Sequence, residues 1–137
     1  HGGEAEEMEI ARRLFLVDDD ASIRKAMRRF LYSVGFEVRA LPSAEDFLEF
    51  ISPEITGCLI LDVRLPGLSG FELQGRLRDM GSRLKVIFIS AFADDKLRQH
   101  TSERGAVAFF EKPVDDERLL AALLSVWDEK EEGSDSK

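Results

Sequence analysis

The sequence offers neither a disulfide nor a membrane span. Cys58 is the only cysteine among 137 residues, so an internal disulfide cannot form. No apolar run approaches the ~20 residues that a helix needs to cross a bilayer, so we expect no transmembrane segment. The first ten residues contain four glutamates and no apolar core, and we therefore expect no secretion signal there. Cys58 stands in the apolar run CLIL, which is typical of a buried thiol in the reducing cytoplasm.

Positive charge is also scarce. The sequence has 19 lysines and arginines against 27 aspartates and glutamates, which gives a net charge of -8. Proteins that bind nucleic acids directly draw much of their affinity from lysine and arginine contacts with phosphates, so we do not expect that class of function. An acidic balance does suit a site in which several carboxylates surround a divalent cation.

A chain of 137 residues suits one domain with a real hydrophobic core. Residues 1–10 are interpreted as a disordered leader, since the opening HGG is typical of an expression tag. Residues 11–128 are predicted to form the domain. Residues 129–137 are charged and lack apolar side chains, which indicates a disordered tail or a truncated linker.

Short apolar runs alternate with amphipathic segments along the whole domain. The apolar runs predict five strands, at residues 14–17, 36–41, 58–61, 86–89 and 106–110. The amphipathic segments predict five helices, at residues 22–34, 43–51, 69–80, 94–104 and 115–127. Because the strands are apolar on both faces, they belong in a parallel sheet covered by helices on both sides. Right-handed crossovers then favour a flavodoxin-like, doubly wound α/β fold with strand order 2-1-3-4-5.

Polar side chains gather where the predicted strands end, and in such a sheet ligands bind at that edge. In chain order these residues are Asp18, Asp19, Asp20, Asp62, Ser90 and Lys112. Carboxylates this close repel one another unless a cation such as Mg²⁺ neutralises them. One of them can then act as a nucleophile toward phosphorus and form an aspartyl phosphate. A hydroxyl and a lysine ammonium are the usual partners of the transferring phosphoryl group.

Four sequence blocks carry a family resemblance, each at the end of a predicted strand. LFLVDDD, LILDVRLPGLSG, VIFISA and FFEKP resemble, in the right order, the blocks of response-regulator receiver domains, which share the fold of the chemotaxis regulators. The resemblance runs from about Arg12 to Trp127. It implies a two-component signalling protein rather than an enzyme. A histidine kinase or phosphotransfer protein would pass a phosphoryl group to Asp62 and thereby switch the surface of helix four, strand five and helix five.

The resemblance also implies which residues hold the metal ion. Asp19 would bind Mg²⁺ (or Mn²⁺) directly, and Asp18 would act mostly through water. Asp62 would be both phosphoacceptor and ligand, and the backbone carbonyl of Arg64 would complete the protein's share. Asp20 lies one place beyond the acidic pair and is interpreted as a loop or helix-capping residue.

Four further side chains and one proline complete the implied site. Ser90 would supply the hydroxyl that reaches the phosphoryl group, and the small Ala91 would leave access to it. Lys112 would pair with the phosphoryl oxygens, and its bond to Pro113 would be cis. Phe109 would be the aromatic that rotates inward on activation. Many members of the family have tyrosine there, and phenylalanine lacks the hydroxyl that tyrosine would use.

Partners follow from the same resemblance. A homodimer through helix four, strand five and helix five is one expectation, and an output domain outside this chain, with DNA binding as one option, is another. Four basic residues on the first helix are interpreted as a solvated face, with a kinase-docking surface as the alternative: Arg24, Lys25, Arg28 and Arg29. His100 is interpreted as a surface residue.

Two other functions stay open. A haloacid-dehalogenase-type phosphatase also forms an aspartyl phosphate on a similar sheet. Asp18 would then be the nucleophile and Asp20 the acid/base. However, that family adds a late acidic pair at a strand end and usually a cap domain, for which this chain has no room. A pseudo-receiver that binds partners without being phosphorylated is the third candidate, and the complete acidic and lysine set argues against it.

Overall fold

The computed structural model describes residues 13–135, with side chains as far as residue 127. The predicted leader at residues 1–10 lies outside the described residues. The strands are β1 (Leu14–Val17), β2 (Val38–Leu41), β3 (Cys58–Asp62), β4 (Lys85–Ser90) and β5 (Ala108–Glu111). The helices are α1 (Ala21–Ser33), α2 (Ala44–Phe50), α3 (Gly70–Asp79), α4 (Asp95–Glu103) and α5 (Asp116–Asp135).

The five strands form one parallel sheet in the order β2-β1-β3-β4-β5, which confirms the predicted flavodoxin-like fold. The chain reverses its direction of travel across the sheet between β1 and β3. The register pairs Val17 with Leu61 on these two strands, so Asp18 and Asp62 both stand one position beyond that pair. Their carboxylates therefore lie next to each other at the carboxyl edge of the sheet.

Two apolar layers hold the helices on the sheet. Alternate strand residues point to opposite faces, so Leu14 and Leu16 pack against α1 and α5, while Phe15 and Val17 pack against α2 and α3. Cys58 belongs to the first layer and is fully buried, and burial raises the pKa of its thiol to about 12. The thiol is therefore protonated and unreactive near neutral pH. Within residues 13–135, no helix is both long enough and apolar enough to cross a membrane.

Several element boundaries differ from the sequence prediction, and those of β2, β5 and α5 differ by two residues or more. Strand β2 begins at Val38 and not at Phe36, because the Phe36 amide donates to the Leu31 carbonyl (2.8 Å) and completes the end of α1. The Phe36 ring stacks on Trp127 at 5.6 Å, which explains its apolar character. Helix α5 continues to Asp135, into the segment interpreted as a tail, since Glu and Lys are good helix formers even without apolar neighbours.

Helix α4 has little apolar anchorage. Its only buried residue is Thr101, and Leu97 is half-buried. Its carboxyl end is instead held by Arg104, whose guanidinium donates to the Gln74 side chain (2.7 Å) and to the Phe71 carbonyl (3.2 Å) on α3. The same guanidinium lies over the Phe71 ring at 4.6 Å. Helix α4 therefore buries fewer residues than the other helices, and elements with little burial open most readily.

Candidate functional site

The turn after β1 places three aspartates in three different environments. Asp18 is fully buried, whereas Asp19 and Asp20 are exposed. The Asp20 carboxylate accepts hydrogen bonds from the amides of Ser22 (2.8 Å) and Ile23 (3.3 Å) and so caps α1. This use of Asp20 agrees with its interpretation as a capping residue.

Asp62 ends β3 and is 3% exposed. Its Oδ1 accepts a hydrogen bond from the Arg64 amide at 3.0 Å, and its Oδ2 accepts one from the Lys112 ammonium at 2.8 Å. Burial raises the pKa of Asp62, and the charge of Asp18 raises it further. The hydrogen bonds from Lys112 and Arg64 oppose this rise without cancelling it. The carboxylate is therefore held in place at an energetic cost, which a nearby cation would relieve.

Lys112 lies between the two buried carboxylates. Its Nζ is 2.8 Å from Asp18 Oδ2 and 2.8 Å from Asp62 Oδ2. Burial alone would lower the pKa of Lys112, but its contacts with Asp18 and Asp62 outweigh burial and raise that pKa. The Lys112 side chain is therefore a stable ammonium. It can pair with either carboxylate, or with another anionic oxygen beside them.

Three carboxylates in this site fit a divalent cation. One oxygen from each of Asp18, Asp19 and Asp62 lies within 4.8 Å of the other two. Asp18 Oδ2 is buried and, although close to the Lys112 ammonium, receives no hydrogen bond of acceptable geometry. A buried carboxylate oxygen without a donor is costly, and Mg²⁺ prefers oxygen ligands of this kind. Because Asp19 is exposed, one side of this three-carboxylate cluster is open to water.

The predicted switch residues lie on β4 and β5 or directly after β4. Ser90 ends β4, is fully buried, and its Oγ accepts a hydrogen bond from the Phe92 amide at 3.2 Å. Ala91 beside it is exposed. Phe109 on β5 is half-buried, with the Arg98 guanidinium 5.2 Å from its ring centroid.

The loop that begins at Lys112, directly after β5, lies at the carboxyl edge of the sheet. The Lys112 amide donates to the Ser90 carbonyl at 2.8 Å, and the Lys112–Pro113 peptide bond is cis. The main chain of β4 and that of the lysine loop are therefore fixed to each other beside Asp62.

Comparison with known families decides what this arrangement is. The family model described as the response regulator receiver domain matches residues 14–124, which span all five strands and the beginning of α5. The chain belongs to the response-regulator receiver domain family. It is accordingly a receiver domain of two-component signalling, and phosphorylation and magnesium binding are typical of that family.

Individual relatives agree with this assignment. Nodulation protein W of Bradyrhizobium diazoefficiens is 40% identical over 112 residues, covering 82% of this chain and 49% of the relative. The transcriptional regulatory protein FixJ of the same organism is 36% identical over 112 residues, covering 82% and 55%. A CheY-like receiver domain protein from Methanospirillum hungatei superposes with a TM-score of 0.79 at 28% identity, covering 89% and 98%. The receiver domain thus spans about half the length of the curated relatives it matches.

The structure adds residues of this receiver domain that the sequence did not identify as part of the site. Gly70, the first residue of α3, donates its amide to the Val63 carbonyl at 2.9 Å and lies against the main chain of Asp62. Glu45 on α2 accepts a hydrogen bond from the Leu68 amide at 2.9 Å, which lowers the pKa of Glu45. Both contacts fix the loop that follows Asp62. Neither has a signal in the linear sequence, because each depends on which backbone atoms approach from another element.

Gly70→Ala is expected to destabilise the receiver domain by about 3 kcal/mol, because the added Cβ overpacks the site. That Cβ would lie 2.2 Å from the Asp62 carbonyl oxygen and 3.0 Å from Val63 Cα, and only main-chain movement can relieve the contact. Urea unfolding measures the loss.

Gly75→Ala is the matched control on the same helix. A Cβ at Gly75 meets nothing within 4 Å, so the variant should gain about 1 kcal/mol from helix propensity alone. Equal stabilities for the two variants would contradict the close approach of α3 to Asp62.

Proposed function

We propose that Asp62 accepts a phosphoryl group from a histidine kinase or phosphotransfer protein in a reaction that needs Mg²⁺ (or Mn²⁺). The observation that carries the proposal is the placement of one ammonium, Lys112, 2.8 Å from each of two buried carboxylates, Asp18 and Asp62. Asp18, Asp19, Asp62 and the backbone carbonyl of Arg64 are the proposed protein ligands of the cation. When bound, the cation neutralises the carboxylates and the phosphoryl oxygens.

The chemistry is a transfer between two nucleophiles. A carboxylate oxygen of Asp62 forms a bond to phosphorus while the bond from phosphorus to the donor's imidazole nitrogen breaks, and the imidazole keeps that electron pair. Asp62 then no longer carries its full negative charge. Lys112 is free to pair with the new phosphoryl oxygens, and its raised pKa keeps it charged throughout.

The switch proceeds through Ser90 and Phe109 in this proposal. The hydroxyl of Ser90 turns from the Phe92 amide toward the phosphoryl group, and Phe109 moves into the space that is vacated. The small Ala91 leaves the approach to the phosphoryl group open. Helix α4, with one buried residue, then shifts along with β5 and α5. Phosphorylation would bias an equilibrium between two arrangements of this surface.

The phosphatase alternative is not favoured. Asp20, its required acid/base, has its carboxylate committed to the amides of Ser22 and Ile23 at the start of α1. The pseudo-receiver alternative is not favoured either, because the acidic residues and the lysine that phosphorylation needs are all present and adjacent.

The remaining assignments extend this proposal to the whole signalling protein. Residues 11–128 act as the receiver unit, in the cytoplasm, and catalyse no reaction other than their own phosphorylation and dephosphorylation. The face of α4, β5 and α5 forms a homodimer. An output domain lies outside this chain, and DNA binding is its proposed activity, since FixJ is a transcriptional regulatory protein of which the matched region covers only 55%.

Labelling with a small phosphodonor such as acetyl phosphate tests the proposal without a kinase. With Mg²⁺ the intact protein should gain the mass of one phosphoryl group, and with a chelator it should gain none. Hydroxylamine, which cleaves acyl phosphates, should remove the label. A label that forms without a divalent cation, or that survives hydroxylamine, would contradict an aspartyl phosphate formed in this site.

A further inference from the structure

Arg24 differs from the other basic residues on α1. Lys25, Arg28 and Arg29 are exposed, whereas Arg24 is half-buried. Its Nη1 donates a hydrogen bond to the backbone carbonyl of Asp18 at 2.7 Å. A charged donor at this distance makes one of the stronger hydrogen bonds found in proteins. Arg24 therefore contacts the acidic site itself, while its three basic neighbours remain a solvated face.

The hydrogen bond from Arg24 is one of three that hold Asp18 in place. The Asp18 amide donates to the Leu41 carbonyl on β2 at 3.2 Å, and its Oδ1 accepts from the Asp20 amide at 2.9 Å. With the carbonyl held by Arg24, the main chain and one carboxylate oxygen of Asp18 all have partners. The remaining atom, Oδ2, lies 2.8 Å from the Lys112 ammonium but receives no hydrogen bond of acceptable geometry.

A closed ring of hydrogen bonds joins Arg24, Asp18 and Asp20. Asp20 caps α1 through the Ser22 amide, and the Asp20 carbonyl accepts the Arg24 amide at 3.0 Å. The Arg24 side chain then returns along the helix to Asp18. The turn that carries the acidic residues is thus attached to the first turn of α1 at both of its ends.

We propose that Arg24 is a positioning residue for the cation site, which fixes the Asp18 peptide so that Oδ2 faces the cation together with Asp19 and Asp62. This inference rests on the proposed cation site. Groups that orient metal ligands in this indirect way commonly change metal affinity by about 10–100-fold when they are removed.

Electrostatics alone predicts that removing Arg24 changes the Mg²⁺ affinity in the opposite direction. The guanidinium brings a positive charge to the Asp18 carbonyl, beside the proposed cation site, and like charges weaken cation binding. If charge were its only effect, Arg24→Ala would bind Mg²⁺ more tightly than the wild type. If positioning dominates, the same variant binds Mg²⁺ more weakly. The direction of the change in affinity therefore separates the two effects.

The experiment measures Mg²⁺ binding by isothermal titration calorimetry in the full chain without any phosphodonor. Arg24→Ala should raise the Mg²⁺ dissociation constant by about tenfold, the lower end of such effects. Arg24→Lys, which keeps the charge and a donor, should recover part of the affinity. Arg28→Ala, on the exposed side of the same helix, should bind as the wild type does. Raising the Mg²⁺ concentration should also restore the acetyl phosphate labelling rate of Arg24→Ala, which general damage to the fold would not allow.

The outcomes are distinguishable. Unchanged or tighter Mg²⁺ binding by Arg24→Ala overturns the positioning role, while an absence of Mg²⁺ binding by the wild type overturns the cation site itself. If Arg24→Ala does not fold, Arg24→Lys is compared with Arg28→Lys. Weaker binding by the first of these supports positioning, and equal binding overturns it.

Discussion

Asp62→Asn is expected to abolish phosphoryl incorporation from acetyl phosphate, with a loss on the order of a thousandfold or more because the nucleophile is gone. Asn keeps the shape of Asp and can still accept from the Arg64 amide, which holds Asp62 Oδ1 at 3.0 Å. The amide nitrogen it introduces is not a nucleophile toward phosphorus. Intact-mass measurement over a time course, with and without Mg²⁺, gives the rate.

The same variant should remain folded and lose little or no stability. A pKa that burial raises means that the ionised Asp62 is less stable in the folded state than in the unfolded chain. The cost is absent at acid pH and sets in as pH rises through the raised pKa of Asp62. Asn carries no charge and avoids that cost, while Lys112 keeps its contact with Asp18. The urea midpoint near neutral pH should therefore equal or exceed that of the wild type.

Asp20→Asn is the matched control for this result. It makes the same change of side chain in the same edge of the domain, and Asn caps a helix about as well as Asp does. It should label like the wild type. Labelling of Asp62→Asn at the wild-type rate, or loss of labelling in Asp20→Asn alone, would mean that the nucleophile has been assigned to the wrong aspartate.

Lys112→Ala is expected to destabilise the domain by about 3 kcal/mol in the absence of Mg²⁺, since it leaves two buried carboxylates without their shared partner. Asp18 is fully buried and Asp62 nearly so, so both carboxylates are poorly solvated once the ammonium is removed. The loss should be smaller at acid pH, because a protonated Asp62 needs no partner, and it should grow as pH rises through the raised pKa of Asp62. Urea unfolding at several pH values measures both effects.

Mg²⁺ should reverse part of this loss. The Lys112 ammonium lies 2.8 Å from two of the three proposed carboxylate ligands and competes electrostatically with a cation. Without it the variant should bind Mg²⁺ more tightly and gain more stability from it than the wild type does. Phosphoryl transfer should nevertheless be slower, because the group that stabilises the phosphoryl oxygens is missing.

Lys85→Ala supplies the control for the lysine. Lys85 is exposed at the opposite edge of the sheet, where β4 begins. Its removal should change neither the stability nor the response to Mg²⁺. An equal effect of Mg²⁺ on the stability of wild type and Lys112→Ala would contradict the shared position of ammonium and cation.

Much of this fold can be predicted from sequence because the sheet is buried on both faces. The apolar runs Leu14–Val17 and 58–61 have no polar face that would allow another assignment, and an aspartate directly follows each of them. Once the strand order is known, the meeting of Asp18 and Asp62 follows from topology alone. The position of Lys112 follows in the same way from the end of β5.

The parts that could not be predicted depend on contacts between elements. In the sequence, Arg24 is one of four basic residues on the same helix, and nothing in the pattern separates it from the three exposed ones. Only the packing of α1 directs its side chain toward the Asp18 carbonyl. Gly70 looks like an ordinary helix start, and its need for a hydrogen in place of a side chain comes from the Asp62 main chain. The apolar character of Phe36 predicts a strand residue, whereas in the fold its ring lies in the core and stacks on Trp127.

The most direct test of the central claim is to locate the phosphoryl group after labelling with acetyl phosphate and Mg²⁺. Borohydride reduction of the acyl phosphate, followed by peptide mass spectrometry, converts the labelled aspartate to homoserine and identifies it. The account predicts homoserine at position 62 and at no other aspartate. Homoserine at position 18 would contradict it and would favour the phosphatase-type chemistry instead.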